Sequence, residues 1–327
     1  MQRDVLIKSI ALFIFFSVIF VLMLRVFGVR ELMNTIGGSN PSLIFLAILI
    51  QLGILSLWSL RWKVLTGNKA SRLFQYLQIG ILLNNVTPSA RTGGEIARVY
   101  LLGKMEGIPY EKGLASVVLE RTLDLFVLAI ISIFLIPFST SSALTLSSLS
   151  SAVVLVLFSY FIYKLSHSEE NSMKIVNWVC KGIRRISKKN LNEKLIRSTS
   201  KFHESLKEIE QDFRKISTAG IITSLMWFFT FCRTELVLLS IGQSLPIWQI
   251  ALVTLVYSVA GTLFFLTPGG IGAVEISSLL LYTKLGLERE IAASLVLLDR
   301  CIGFLFPSAM GLFFLAILSR KIALESY

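Results

Sequence analysis

Nine charged side chains stand inside or beside apolar sequence: Arg91, Glu95, Arg98, Glu120, Arg121, Asp124, Glu275, Asp299 and Arg300. At the centre of a bilayer each costs about 3 kcal/mol or more unless it is paired or wet. Their order repeats. Thr87-Pro88 precedes Glu95 at the spacing with which Thr267-Pro268 precedes Glu275, and the pairs Glu120-Arg121 and Asp299-Arg300 then follow. Gly107 and Gly286 each lie fourteen residues ahead of their arginine. A proline that ends one half-helix, with glycines opening the next, exposes backbone N–H groups at membrane depth. Those donors and the positive helix end favour an anion. Gly93 and Gly94 serve the first copy, and Pro268, Gly269 and Gly270 the second.

The copies differ in one cation. Arg91 sits at the opening of the first, where a planar guanidinium suits a phosphate; glycine and isoleucine stand at the matching positions of the second. Headgroup contact is therefore expected to centre on the first hairpin, with Arg91, Glu95, Arg121, Glu275 and Arg300 leading the candidates. Two blander readings stay open. The glycines could simply allow close helix packing, and the charges could form a structural network, since Glu95 shares a helix face with Arg98 and Asp124 one with Glu120 or Arg121.

The positioning elements follow from hydropathy. Mean hydropathy is +0.73, and 54% of the 327 residues are hydrophobic, which excludes a soluble globular chain and predicts an all-α polytopic membrane protein. Six full spans are expected at about 5–27, 41–65, 113–137, 144–165, 219–242 and 289–318, the first read as a retained signal anchor. The stretches 72–104 and 247–285 are broken at Pro88 and Pro268, and suit two re-entrant hairpins. Basic loops, with Arg61, Lys63, Lys69 and Arg72 counted after the second span, place both termini in the cytoplasm of a plasma-membrane protein. Repeat one (41–137) and repeat two (219–318) then enter from opposite faces as inverted repeats. The basic segment 166–218 is expected to be helical: Phe202, Leu206, Ile209, Phe213 and Ile216 make one apolar stripe, and Ile175, Val179, Ile183 and Ile186 another. It would form a cap or a surface helix on anionic headgroups.

No cofactor or metal is expected. His167 and His203 lie in the 166–218 segment, and Cys180, Cys232 and Cys301 are scattered. The net charge of +12 is accounted for by loops facing anionic lipid, and no nucleic acid is required.

The motifs Leu82–Glu95, Glu120–Asp124 and Thr267–Glu275, in that order, resemble the lysylphosphatidylglycerol synthase transmembrane family, a flippase-like domain. The resemblance implies a domain that moves lipids between leaflets. The motif positions would be Arg91, Gly93, Gly94, Glu95, Glu120, Arg121, Pro268, Gly269, Gly270 and Glu275. Only Ser319–Tyr327 follow the last span, so aminoacyl transfer is not expected. The leading expectation is a translocator of an anionic lipid or lipid-linked headgroup, such as a phospholipid or polyprenyl phosphate. A membrane-embedded transferase using Glu95 and Glu120, or a small-solute or ion transporter, are the alternatives. Expected partners are membrane lipids, with a second copy of the chain and a lipid-modifying enzyme or glycosyltransferase as further candidates.

Overall fold

The computed structural model describes residues 37–324 except 69, 88–91, 139–141, 169, 171–191 and 264–267. The described residues form helices and turns, with no strand among them. Asn40 opens α1 (Pro41–Thr66), its side chain accepting from the Ser42 N–H, and Pro41 takes the first turn, where its missing N–H costs nothing. The first broken stretch becomes α2 (Ala70–Val86) and α3 (Thr92–Glu106), followed by α4 (Tyr110–Leu135) and α5 (Ser142–His167). After α6 (Asn192–Gln211) comes α7 (Phe213–Ser240). The second broken stretch is α8 (Ile247–Leu263), a tight turn at Pro268–Gly270, and α9 (Ala273–Lys284). A last long rod comprises α10 (Arg289–Arg300), one π-helical turn at Cys301–Leu305, and α11 (Phe306–Leu324).

Four helical rods, Pro41–Thr66, Tyr110–Phe138, Phe213–Ser240 and Arg289–Ser319, are long and apolar enough to cross a membrane. They coincide with four of the expected spans. The expected span 144–165 is α5, whose apolar part is the shorter Ser148–Lys164. The expected span 5–27 lies outside the described residues. In the broken stretches the helices have 17, 15, 17 and 12 residues, short of the roughly 20 that cross a hydrocarbon core. Each pair folds back on itself, α2 against α3 and α8 against α9.

Sequence explains the tightness of the first hairpin. The Gly94 N–H donates to Asn84 Oδ1 at 2.8 Å, and a Cβ on Gly94 would run into the Gly80 carbonyl oxygen. Tyr76 and Arg72 on α2 bind the Glu106 carboxylate at the open end. In the second hairpin Gly269 and Gly270 turn the chain at φ 59° and 72°, a region that side chains with a Cβ rarely occupy.

The most extensive helix contact joins α1 to α7. They run antiparallel: Asn40 N–H at the start of α1 donates to Ser240 O at the end of α7 (2.8 Å). Around them α4 packs on α5, and α11 on α2. Large apolar residues on α4 and α5, such as Phe134, Leu157 and Phe161, face outward, as lipid-facing surfaces do.

The amphipathic helix α6 lies against α4. Leu206 and Ile209 are buried with Leu65, Ala115, Leu119 and Ala219, and Phe202 and Ile216 pack on that cluster. Phe213 departs from the expected stripe and is 80% exposed. The helix breaks at Asp212, whose side chain caps α7 by accepting from the Lys215 N–H at 3.1 Å, so Phe213 begins a new helix with a new phase. That N–H and the Lys215 ammonium hold the Asp212 carboxyl below the usual carboxylate range. The stripe Ile175–Ile186 lies outside the described residues.

Candidate functional site

In the first half, the charges on α1, α3 and α4 close into one cluster. Arg61, fully buried, reaches Glu120 Oε1 with Nε (3.3 Å) and Asp124 Oδ1 with Nη1 (2.6 Å). Arg98, 2% exposed, donates to Glu95 Oε2 and Glu120 Oε2, each at 2.5 Å. Arg121 donates to Glu95 Oε1. Three cations meet three carboxylates. The indoles of Trp58 and Trp62 lie beside the Arg98 guanidinium, 5.8 and 4.8 Å from it, and add cation–π attraction. All four carboxylate oxygens of Glu95 and Glu120 are committed to arginines.

In the second half the same plan returns. Arg300 Nε donates to Glu275 Oε1 (2.6 Å) as Arg121 does to Glu95, and its Nη2 reaches the Gly269 carbonyl (3.3 Å). Glu275 Oε2 also accepts the Gly272 N–H at 2.7 Å, which fixes the start of α9. Arg233 Nη2 binds Asp299 Oδ1 and Oδ2 at 2.9 and 3.0 Å, and Thr234 donates to Oδ1. Two cations meet two carboxylates.

The halves also reach across to each other at matching positions. Arg61 Nη1 on α1 donates to Thr223 Oγ1 on α7 (2.9 Å), and Arg233 Nη1 on α7 donates to Gln51 Oε1 on α1 (2.5 Å). Arg61 stands ten residues after Gln51, and Arg233 ten after Thr223. Each of the two helices thus sends one arginine to a polar side chain of the other.

Where the halves differ, a cavity appears. Three residues beyond the hairpin glutamate stands Arg98 in the first half and Ser278 in the second. Three beyond the last arginine stands Asp124 in the first half and Gly303 in the second. Ser278 and Gly303 both line a polar cavity of about 230 Å³, together with Arg233, Asp299, Arg300 and Tyr257. The two charged side chains that fill the first cluster are thus replaced by a hydroxymethyl group and a hydrogen, and the space is left open. A Cβ on Gly303 would come within 2.9 Å of Arg233 Nη1. The rod is widened there into its π-turn, which Pro307 accompanies; such turns recur at functional sites. Arg233 lines this cavity, while its Nε is buried and has no hydrogen-bond partner among the described residues.

The structure brings together Glu95, Arg98, Glu120, Arg121 and Asp124 in one cluster and Gly269, Glu275, Asp299 and Arg300 in the other. Gly93 and Gly94 open α3 against α2, and Pro268 and Gly270 belong to the turn that lies against α2. Arg91 lies outside the described residues. Asp124 binds Arg61 from the same side of α4 as Glu120 and also lies within electrostatic reach of Arg121. Sequence reasoning counted Arg61 as a loop charge and passed over Arg233, Gln51 and Thr223. The signal was present as an arginine in each of the apolar runs 41–65 and 219–242, each with a polar residue ten positions earlier. The described cavity lies in the second half, whereas headgroup contact was expected at the first hairpin.

The family model described as the lysylphosphatidylglycerol synthase TM region matches residues 8–311. A UPF0104 membrane protein of Methanothermobacter thermautotrophicus is 29% identical over 88% of this chain and 89% of its own length. A UPF0104 membrane protein of Pyrococcus horikoshii is 27% identical over 91% and 93%. One of Methanocaldococcus jannaschii is 27% identical over 98% of both chains. No solved structure matches the chain.

Proposed function

Starting from the fact that this membrane protein belongs to the lysylphosphatidylglycerol synthase TM-region family, we propose that it carries an anionic lipid headgroup between leaflets through the cavity of its second half. One observation carries the reading: the second ion cluster is the first with two charged side chains removed, and the vacated space is walled by Arg233 and Arg300. The closed first cluster serves as the fixed counterpart against which the second moves. Antiparallel α1 and α7, crossed by the two reciprocal arginine bonds, supply the axis for inverted repeats 41–137 and 219–318 and for alternating access. Both termini face the cytoplasm in this reading, and the plasma membrane is its location. The transferase alternative needs a free pair of carboxylates, and Glu95 and Glu120 are both spent on arginines.

The test is transport by the purified protein in nucleotide-free proteoliposomes. A fluorescent anionic lipid should become accessible to an impermeant quencher faster than in empty vesicles, and a zwitterionic lipid should respond less. Chemical change of the lipid without a change of leaflet would overturn the proposal in favour of a transferase.

A further inference from the structure

We propose that His167 and Glu210 form a proton-operated clasp, which ties α5 to the last turn of α6 when His167 holds a proton and releases it otherwise. The clasp goes beyond the transport reading and stands apart from it, because it concerns the position of helices and not the lipid. His167 ends α5, beyond the apolar stretch that closes at Lys164. Its ring is fixed on both sides. Nε2 lies 2.8 Å from Glu210 Oε2, and Nδ1 lies 2.9 Å from the Tyr163 carbonyl oxygen. A carbonyl oxygen can only accept, and so can an ionised carboxylate, so both ring nitrogens must donate. An imidazolium has two N–H groups; a neutral ring has one. Ser166 Oγ, 3.2 Å from Nδ1, cannot donate to a neutral ring, since its own hydrogen goes to the Ile162 or Tyr163 carbonyl. Two further features favour the cation. The Tyr163 ring stacks on the imidazole, with centroids 3.9 Å apart and planes at 27°. The ring also sits at the C-terminal end of α5, where the helix dipole attracts positive charge. In the closing step the neutral ring takes one proton from water at Nε2 and becomes a cation, while Glu210 stays an anion.

The clasp acts at a junction. Glu210 is next to last in α6, and Asp212 then caps α7. The rest of α6 is held to α4, by Lys112 and Glu208 at 3.0 Å, by Ser198 donating to Glu111, and by the buried Leu206 and Ile209. Lysine and carboxylate groups keep their charge between about pH 5.5 and 8.5, so that attachment does not respond to pH in this range. His167 thus couples α5, which joins the two halves, to the entry of α7 under a condition set by the surrounding solution. In the orientation proposed above, that solution is the cytoplasm. The ionisable groups around the ring are Tyr163 and Lys164 on α5, Lys207 and Glu210 on α6, and Asp212, Arg214 and Lys215 at the start of α7. None of them changes charge in this range. His203 on α6, buried and with Nδ1 2.9 Å from Thr199 O, is the other histidine of the chain.

The test measures the separation of α5 and α6 in the full chain, held in nanodiscs. Spin labels are placed by Lys164→Cys and Lys207→Cys in a cysteine-free background; both positions are exposed and lie one turn before the clasp residues. Pulsed electron resonance then gives the ratio of short to long separations. An ordinary imidazole is about 90% protonated at pH 5.5 and about 1% at pH 8.5. Over that interval the ratio should fall at least about threefold, which is what a part-exposed ion pair contributes. His167→Gln and Glu210→Gln should each abolish the change, and His203→Gln should leave it. A ratio that stays constant with His167 and Glu210 in place overturns the inference. So does a change that survives His167→Gln, or one that His203→Gln removes. None of these outcomes bears on lipid transport, which the quencher assay tests separately.

Discussion

Rebuilding the first cluster inside the second should close the cavity and stop transport without unfolding the protein. The perturbation is the pair Ser278→Arg and Gly303→Asp, which restores the residues that Arg98 and Asp124 supply at the matching positions. Either change alone introduces one uncompensated buried charge, and Gly303→Asp also presses on the Arg233 guanidinium, 2.9 Å from the new Cβ. Leaving a buried charge without its partner costs about 3–5 kcal/mol. Together the two add a matched pair: the new arginine meets Glu275 and Asp299 as Arg98 meets Glu95 and Glu120, and the new aspartate meets Arg233 as Asp124 meets Arg61. The double variant should therefore be more stable than the sum of the single effects implies, with a coupling of about 2–3 kcal/mol. Chemical denaturation of all four proteins in one detergent measures that coupling, and quencher accessibility in proteoliposomes measures transport. Flipping should fall to the empty-vesicle rate in a double variant that still folds. Wild-type flipping in that variant, or independent single effects, would refute the claim that the second cluster is a hollowed copy of the first.

Arg98→Ala removes one arginine from each of Glu95 and Glu120 and should lower stability by about 3–5 kcal/mol in the same denaturation assay. Gly94→Ala forces a methyl against the Gly80 carbonyl and should destabilise the first hairpin by about 1–3 kcal/mol or more, read in the same denaturation assay. Leu206→Ala should cost about 2–5 kcal/mol by opening the contact of α6 with α4, with faster amide exchange confined to 192–211. In a cysteine-free background, Ser244→Cys should label only from outside the cell and Lys201→Cys only from inside; labelling of both from one face would remove the assigned orientation.

The helical fold was legible because long apolar runs leave the backbone no other way to satisfy its hydrogen bonds in lipid. The charged set was legible for a related reason: Glu95, Arg98, Glu120 and Asp299 stand out against an apolar background. Their partners were harder to read. Arg61 looked like a loop charge because it stands near the end of its run, and only the packing of α1 on α4 reveals its two carboxylates. Ser278 and Gly303 were silent, since a small residue signals a cavity only when its larger counterpart in the other half is seen to fill the same place. Phe213 misled because periodicity alone carries a stripe straight through the break that Asp212 makes.

The helix α5 contributes none of the side chains in either cluster, yet the arrangement depends on it through parity. In the proposed inverted-repeat topology each half folds a hairpin between two crossings, an even number of passages, and an even unit returns the chain to the face from which it started. A second even unit joined directly to the first would begin on that same face and set α7 parallel to α1. One odd passage between them turns the second half upside down, so that Arg61 can meet Thr223 while Arg233 meets Gln51. In a chain shortened by that single helix every charged residue of both clusters would survive, and the reciprocal bonds between the halves would have no geometry in which to form.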